Sequence, residues 1–132
     1  MTNELRKYFD AERRAVGRAR ECVIASLLAW GVTGEPAEDI RLCVSELATN
    51  ALAHGTRRGH GFLVCLYAEG KSVHLEVHDS RDLASDRRPR LREAALTDTA
   101  GRGLSLVDTL ADAWGVHKRL PYGKVVWSRF EV

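Results

Sequence analysis

Leu42-Cys43-Val44-Ser45-Glu46-Leu47-Ala48-Thr49-Asn50-Ala51-Leu52-Ala53-His54-Gly55 reads as an amphipathic helix with a polar pair on its edge. At ~100° per residue, Ile40, Cys43, Val44, Leu47, Ala48 and Ala51 fall on one face. Glu46 and Asn50 are one turn apart, about 40° from each other, at the border of that face. A carboxylate there can polarise a water or hydroxyl, and a carboxamide oxygen is a hard ligand suited to Mg²⁺. A Glu-x-x-x-Asn pair is equally compatible with a plain polar edge. The elements around it must decide between the two.

Upstream, Leu5 to Phe9 alternates as a short strand, and Asp10 is placed to cap a long helix from about Ala11 to Trp30, stopped by Gly31. Val16, Ala19, Val23, Leu27 and Trp30 recur along it at helical spacing. Gly34-Glu35-Pro36 breaks the chain, and Pro36 is suited to the start of the helix that carries Glu46 and Asn50, which ends at Gly55. Downstream, Phe62 to Ala68 and Val73 to Asp79 read as a hairpin turned at Glu69-Gly70-Lys71-Ser72. Residues from about 80 to 100 show no sustained period and are rich in Arg and Asp. A segment of about 20 residues of that kind in a small domain is expected to be a functional lid. Gly101-Arg102-Gly103 opens a helix running to about Asp112, and Ala113 to Leu120 and Lys124 to Glu131 close the chain as a hairpin. This order predicts a two-layer α/β (α+β) sandwich, a mostly antiparallel, mixed sheet with helices on one face.

Composition narrows the function classes. The chain has 132 residues, which suits a single domain, and its 45% hydrophobic and 29% charged residues are those of an ordinary globular protein. No apolar run is long enough to span a membrane and no signal-peptide pattern is present, so a cytoplasmic protein without membrane attachment is expected. The formal net charge of +2 gives no ground for nucleic-acid binding. Cys22, Cys43 and Cys65 lie inside apolar patterns and are expected as reduced core thiols.

Two further positions carry chemistry. Along Val73–Asp79 the alternation puts Val73, Leu75 and Val77 on one face and His74, Glu76 and His78 on the other. Its continuation places Asp79 on the apolar face, where a carboxylate needs donors such as an exocyclic amine of a base; the alternative is a turn cap beyond a strand that ends at Val77. Gly101 and Gly103 at a helix start leave backbone N–H groups open to phosphate oxygens. They do not follow a strand, which disfavours a dinucleotide fingerprint.

Taken in order, Ser45-Glu46-Leu47-Ala48-Thr49-Asn50-Ala51 with His54-Gly55, then Val77-His78-Asp79, then Gly101-Arg102-Gly103-Leu104, the chain resembles the Bergerat-fold (GHKL) ATP-binding superfamily of histidine-kinase-like ATPase domains. Within it the likeness is to the small anti-sigma-factor serine/threonine kinases of bacteria, and it covers nearly the whole chain. The resemblance implies one domain over residues 1–132, ATP and ADP as ligands and Mg²⁺ as cofactor. It implies Glu46 as the catalytic general base, Asn50 as the Mg²⁺ ligand and Asp79 as acceptor for the adenine amine. Gly101, Arg102, Gly103 and Leu104 would form the nucleotide loop. It further implies a sigma factor and an anti-anti-sigma protein as partners, and a homodimer. Two positions depart from the family pattern: Arg81 stands where many members carry glycine, and Val125 where a threonine often lies near the adenine. Those departures motivate the alternative, a non-catalytic interaction module of the same fold that sequesters a sigma factor or related regulator.

Other features fit rival chemistries less well. The arginines of the lid have no interleaved aromatics, so direct nucleic-acid contact is not expected. His60, His74, His78 and His117 lack ligand spacing to cysteine or acid, so no zinc site is expected. No serine has a nucleophile-elbow context. Trp30, Trp114 and Trp127 are expected in the core or an interface. A sensor-kinase catalytic domain is disfavoured, since no helix pair with a phospho-acceptor histidine is present.

Overall fold

Phe9 and Phe62 stack with ring centroids 5.5 Å apart, joining the first strand to the hairpin that follows two helices later in the chain. In the computed structural model, residues 3–55, 59–80 and 99–132 are described. The strands are β1 (Glu4–Phe9), β2 (Phe62–Glu69), β3 (Ser72–Asp79), β4 (Ala113–Lys118) and β5 (Lys124–Glu131). The helices are α1 (Ala15–Ala29), α2 (Gly34–Asn50) and α3 (Thr99–Leu110), and a π-helical turn, Ala51–Gly55, continues α2. One five-stranded sheet runs β1-β2-β3-β5-β4. Every pairing among the described residues is antiparallel, so the sheet they form is not mixed. The expected lid, about residues 80–100, falls mostly outside the described residues.

The sheet is covered on one face. Val64, Leu66, Val73, Leu75, Val77 and Phe130 are fully or almost fully buried together with Val23, Leu27, Ile40, Val44 and Val107 of the helices. Burying each such aliphatic side chain contributes about 1.5–3 kcal/mol. The α2 stripe is as the sequence reads it: Ile40, Cys43, Val44, Leu47, Ala48 and Ala51 are all buried. Burial pushes the Cys43 thiol up to about 12, with Asp39 and Glu46 adding to the effect, so this thiol is chemically inert. All three cysteines are free. No described helix is long and apolar enough to cross a membrane.

Helix α1 starts four residues later than the sequence suggests. Asp10 does not cap it; the N-cap is Arg14, without a side-chain cap bond. Phe9 is held in the core, and Gly61 lies so close to it that a Cβ there would sit 1.7 Å from the Phe9 carbonyl oxygen. The chain must therefore bend away first, and it does so with Glu12 N–H donating to the Asp10 carbonyl and Ala15 N–H to that of Glu12. Gly31 ends α1 in the left-handed region, φ 78°. Trp114 and Asp108 link β4 to α3 through an Nε1–H···Oδ1 bond of 2.7 Å.

Candidate functional site

Helix α2 and its π-helical turn both contact β3, and α2 also contacts α3. The elements that carry Glu46 and Asn50, Asp79, and the glycine pair therefore meet on the covered side of the sheet. Glu46 and Asn50 are both half-buried, as expected for the border of the apolar stripe. The other flank of α2 is tied to α1 and to itself. Arg20 donates to Ser45 Oγ (3.4 Å), Ser45 Oγ donates to the Arg41 carbonyl (3.0 Å), and Thr49 Oγ1 donates to the Ser45 carbonyl (2.7 Å). Directly after Asn50 the helix widens to the π form, a local rearrangement that is frequent at functional sites. The side chains of His54 and Gly55 lie outside the described residues.

Asp79 is the last residue of β3 and only 5% exposed. The strand does not stop at Val77, and the carboxylate sits on the apolar face. Its Oδ2 accepts a 2.6 Å hydrogen bond from Lys124 Nζ. The register explains this ion pair, because Asp79 is directly opposite Lys124 and directly paired residues project to the same face. The register also corrects the expectation at Val125. That residue is paired with His78, on the other face of the sheet, so the β5 side chain that faces Asp79 is Lys124. Sequence reasoning missed Lys124 because an offset of one residue in strand pairing exchanges the two faces. A second close contact lies next to it. Gly123 has φ 99°, and a Cβ on it would lie 2.1 Å from the Asp79 carbonyl oxygen.

Removing the ammonium by Lys124→Met leaves a buried carboxylate short of a cation and is expected to cost about 1–3 kcal/mol. Denaturant unfolding checks this, and in a double-mutant cycle Asp79→Asn with Lys124→Met should cost clearly less than the sum of the two. Additive costs would mean that the pair contributes nothing.

Helix α3 begins at Thr99, two residues before the glycine pair. The side chain of Arg102 lies outside the described residues, and so does the whole of Arg81. Leu104 is buried against the core.

A groove of about 400 Å³ separates β1 from α1 and is lined by none of the candidate residues. A smaller one of about 230 Å³ adjoins Asp79 and Ser80 and is lined by Tyr8, His60, His78, Arg119 and Tyr122.

Comparison with known proteins places this fold in a family. The family model described as "Histidine kinase-like ATPase domain" matches residues 9–130. The chain belongs to this family. Three curated relatives extend the match over almost the whole length. The chain is 25% identical over 132 residues to an anti-sigma F factor of Anoxybacillus flavithermus, covering 96% of this chain and 90% of that protein. It is 26% identical over 135 residues to that of Geobacillus stearothermophilus (98% and 92%), and 27% over 136 residues to that of Clostridium perfringens (98% and 97%). A histidine kinase-like ATPase domain with the sheet and helix order described here is therefore the architecture in which Glu46, Asn50 and Asp79 are to be read.

The donor set suits a nucleotide with its metal. Mg²⁺ takes few protein ligands and completes its shell with phosphate and water oxygens, so a single carboxamide oxygen at the helix edge is an adequate contribution. The buried carboxylate of Asp79 suits a base amine, although Lys124 already occupies one of its oxygens.

Proposed function

We propose that this protein is an ATP-binding anti-sigma regulator with Mg²⁺-dependent serine/threonine kinase activity towards an anti-anti-sigma partner. The observation that carries the proposal is the placement of Glu46 and Asn50 on one half-buried edge of α2, packed against the strand that ends in buried Asp79. The similarity to anti-sigma F factors supports the regulatory role and, with it, a sigma factor as the sequestered partner. A cytoplasmic homodimer completes this reading.

Bound Mg²⁺–ATP would supply the transferable phosphoryl group and the charge that neutralises it. Asn50 offers its carboxamide oxygen as the protein's metal ligand. Glu46, one turn earlier on the same edge, accepts the proton of the attacking hydroxyl. Asp79 accepts a hydrogen bond from the adenine amine, and the free N–H groups at the start of α3, Gly101 among them, receive phosphate oxygens. Arg102 and Leu104 flank that turn, and Gly103 leaves room beside it.

Calorimetric titration with ATP and Mg²⁺ tests this directly. The wild type should bind, and Asn50→Ala should lose at least about tenfold in affinity, most of it in the Mg²⁺-dependent part. Failure of the wild type to bind ATP would remove the kinase reading. The ion pair between Lys124 and Asp79 favours the second reading in that event, a non-catalytic module that keeps the fold and sequesters a sigma factor without nucleotide. Capture of the sigma factor with and without ATP separates the two, since a non-catalytic module would bind equally in both.

A further inference from the structure

On the uncovered face of the sheet, three potential metal ligands converge that the sequence keeps apart. Cys65 is paired directly with Glu76 across β2 and β3, and His78 is two residues further along on the same face. Cys65 Sγ is 3.9 Å from His78 Nε2, and His78 Nε2 is 2.8 Å from Glu76 Oε1. One ligand atom from each residue lies within 4.8 Å of the others. The expectation that no zinc site exists rested on spacing along the chain. A cross-strand ladder brings ligands together without any such spacing.

We propose that Cys65, Glu76 and His78 form a binding site for a divalent transition-metal ion of the zinc class. Thiolate, imidazole and carboxylate are the three ligand types that zinc accepts, with bonds of about 2.3, 2.0–2.1 and 2.0–2.2 Å. Tetrahedral angles then require S···N near 3.6 Å and N···O near 3.3 Å. The sulfur–nitrogen separation differs from this by a few tenths of an ångström. The Glu76 carboxylate must swing outward by about half an ångström, exchanging its hydrogen bond to His78 for a metal bond. Side-chain exposures of 14% for His78 and 26% for Glu76 leave the way open from solvent. With three protein ligands, a fourth position would be left for water.

The electrostatics are compatible. Two anionic ligands balance a dication. Burial disfavours the Cys65 thiolate, and Arg6, opposite it on β1 with Nη1 3.6 Å from the sulfur, offsets part of that. His78 Nε2–H donates to the Glu76 carboxylate, so metal binding at Nε2 requires the proton to move to Nδ1, which is buried and has no hydrogen-bond partner among the described residues.

The test uses Co²⁺ and Zn²⁺ on the full, reduced chain without nucleotide. Co²⁺ should give a thiolate-to-metal charge-transfer band that saturates near one equivalent and is displaced by Zn²⁺. Cys65→Ser should abolish the band, and Glu76→Gln should weaken Zn²⁺ binding at least about tenfold. Cys22→Ser, which alters a thiol outside the cluster, should leave both unchanged. Absence of the band in the wild type, or its persistence in Cys65→Ser, would overturn the proposal. Should Cys65→Ser fail to fold, unchanged Zn²⁺ affinity in Glu76→Gln would overturn it instead. Because no nucleotide is present, the outcome is independent of the ATP reading.

Discussion

Glu46→Ala is expected to bind Mg²⁺–ATP about as tightly as the wild type and to transfer phosphate to its protein partner about 10²–10⁴-fold more slowly. The separation of the two effects follows from position. Glu46 is half-buried on the edge of α2, one turn before the residue proposed to hold the metal, and its carboxylate is assigned to the proton of the attacking hydroxyl alone. An interaction made only in the transition state lowers the rate of the chemical step and leaves ground-state affinity unchanged. Single-turnover transfer from labelled ATP, alongside calorimetry, reads both quantities. An unchanged transfer rate would remove Glu46 from catalysis. A parallel fall in ATP affinity would make it part of the binding site.

The largest structural effect is expected at Gly123. Its φ of 99° is unfavourable for any residue with a Cβ, and that Cβ would meet the Asp79 carbonyl oxygen at 2.1 Å. Both atoms belong to the backbone framework, so neither can rotate away. Gly123→Ala should therefore cost about 3 kcal/mol or more, combining backbone strain with overpacking. Gly70→Ala is the control. Gly70 also has positive φ, 59°, but a Cβ there has nothing within 4 Å, so only the conformational cost of about 1–2 kcal/mol remains. Urea unfolding should show a much lower midpoint for Gly123→Ala, at similar slope, than for Gly70→Ala. Equal midpoints would mean that the contact with Asp79 adds nothing.

What the sequence discloses about this protein divides along one physical line. Periodicity within an element is local. It correctly placed the buried stripe of α2, the half-buried Glu46 and Asn50 at its border, and the two faces of β3 with Asp79 on the inner one. Relations between elements depend on register and on close approach, which no local pattern contains. Lys124 facing Asp79 could not be read, because a shift of one residue in the β3–β5 pairing would have put Val125 there. The Cys65–Glu76–His78 cluster was hidden for the same reason, since it exists only once β2 and β3 are aligned. Helix boundaries failed where tertiary contacts outweighed capping signals. Asp10 has the right side chain for a cap, but the chain is still turning away from buried Phe9 at that point.

The strand order carries a mechanical consequence. β3 is laddered on both sides, by β2 and β5, and Asp79 is further confined by Lys124 across from it and by Gly123 against its carbonyl. Such a strand is the part of a fold least able to give. The opposite wall is made of helices packed on the sheet, with a π-helical turn immediately after Asn50. A molecule bridging the two walls would thus be clamped as in a vice with one fixed jaw. Any change in grip would be expressed as a slide of α2 and α3 over an unmoving sheet.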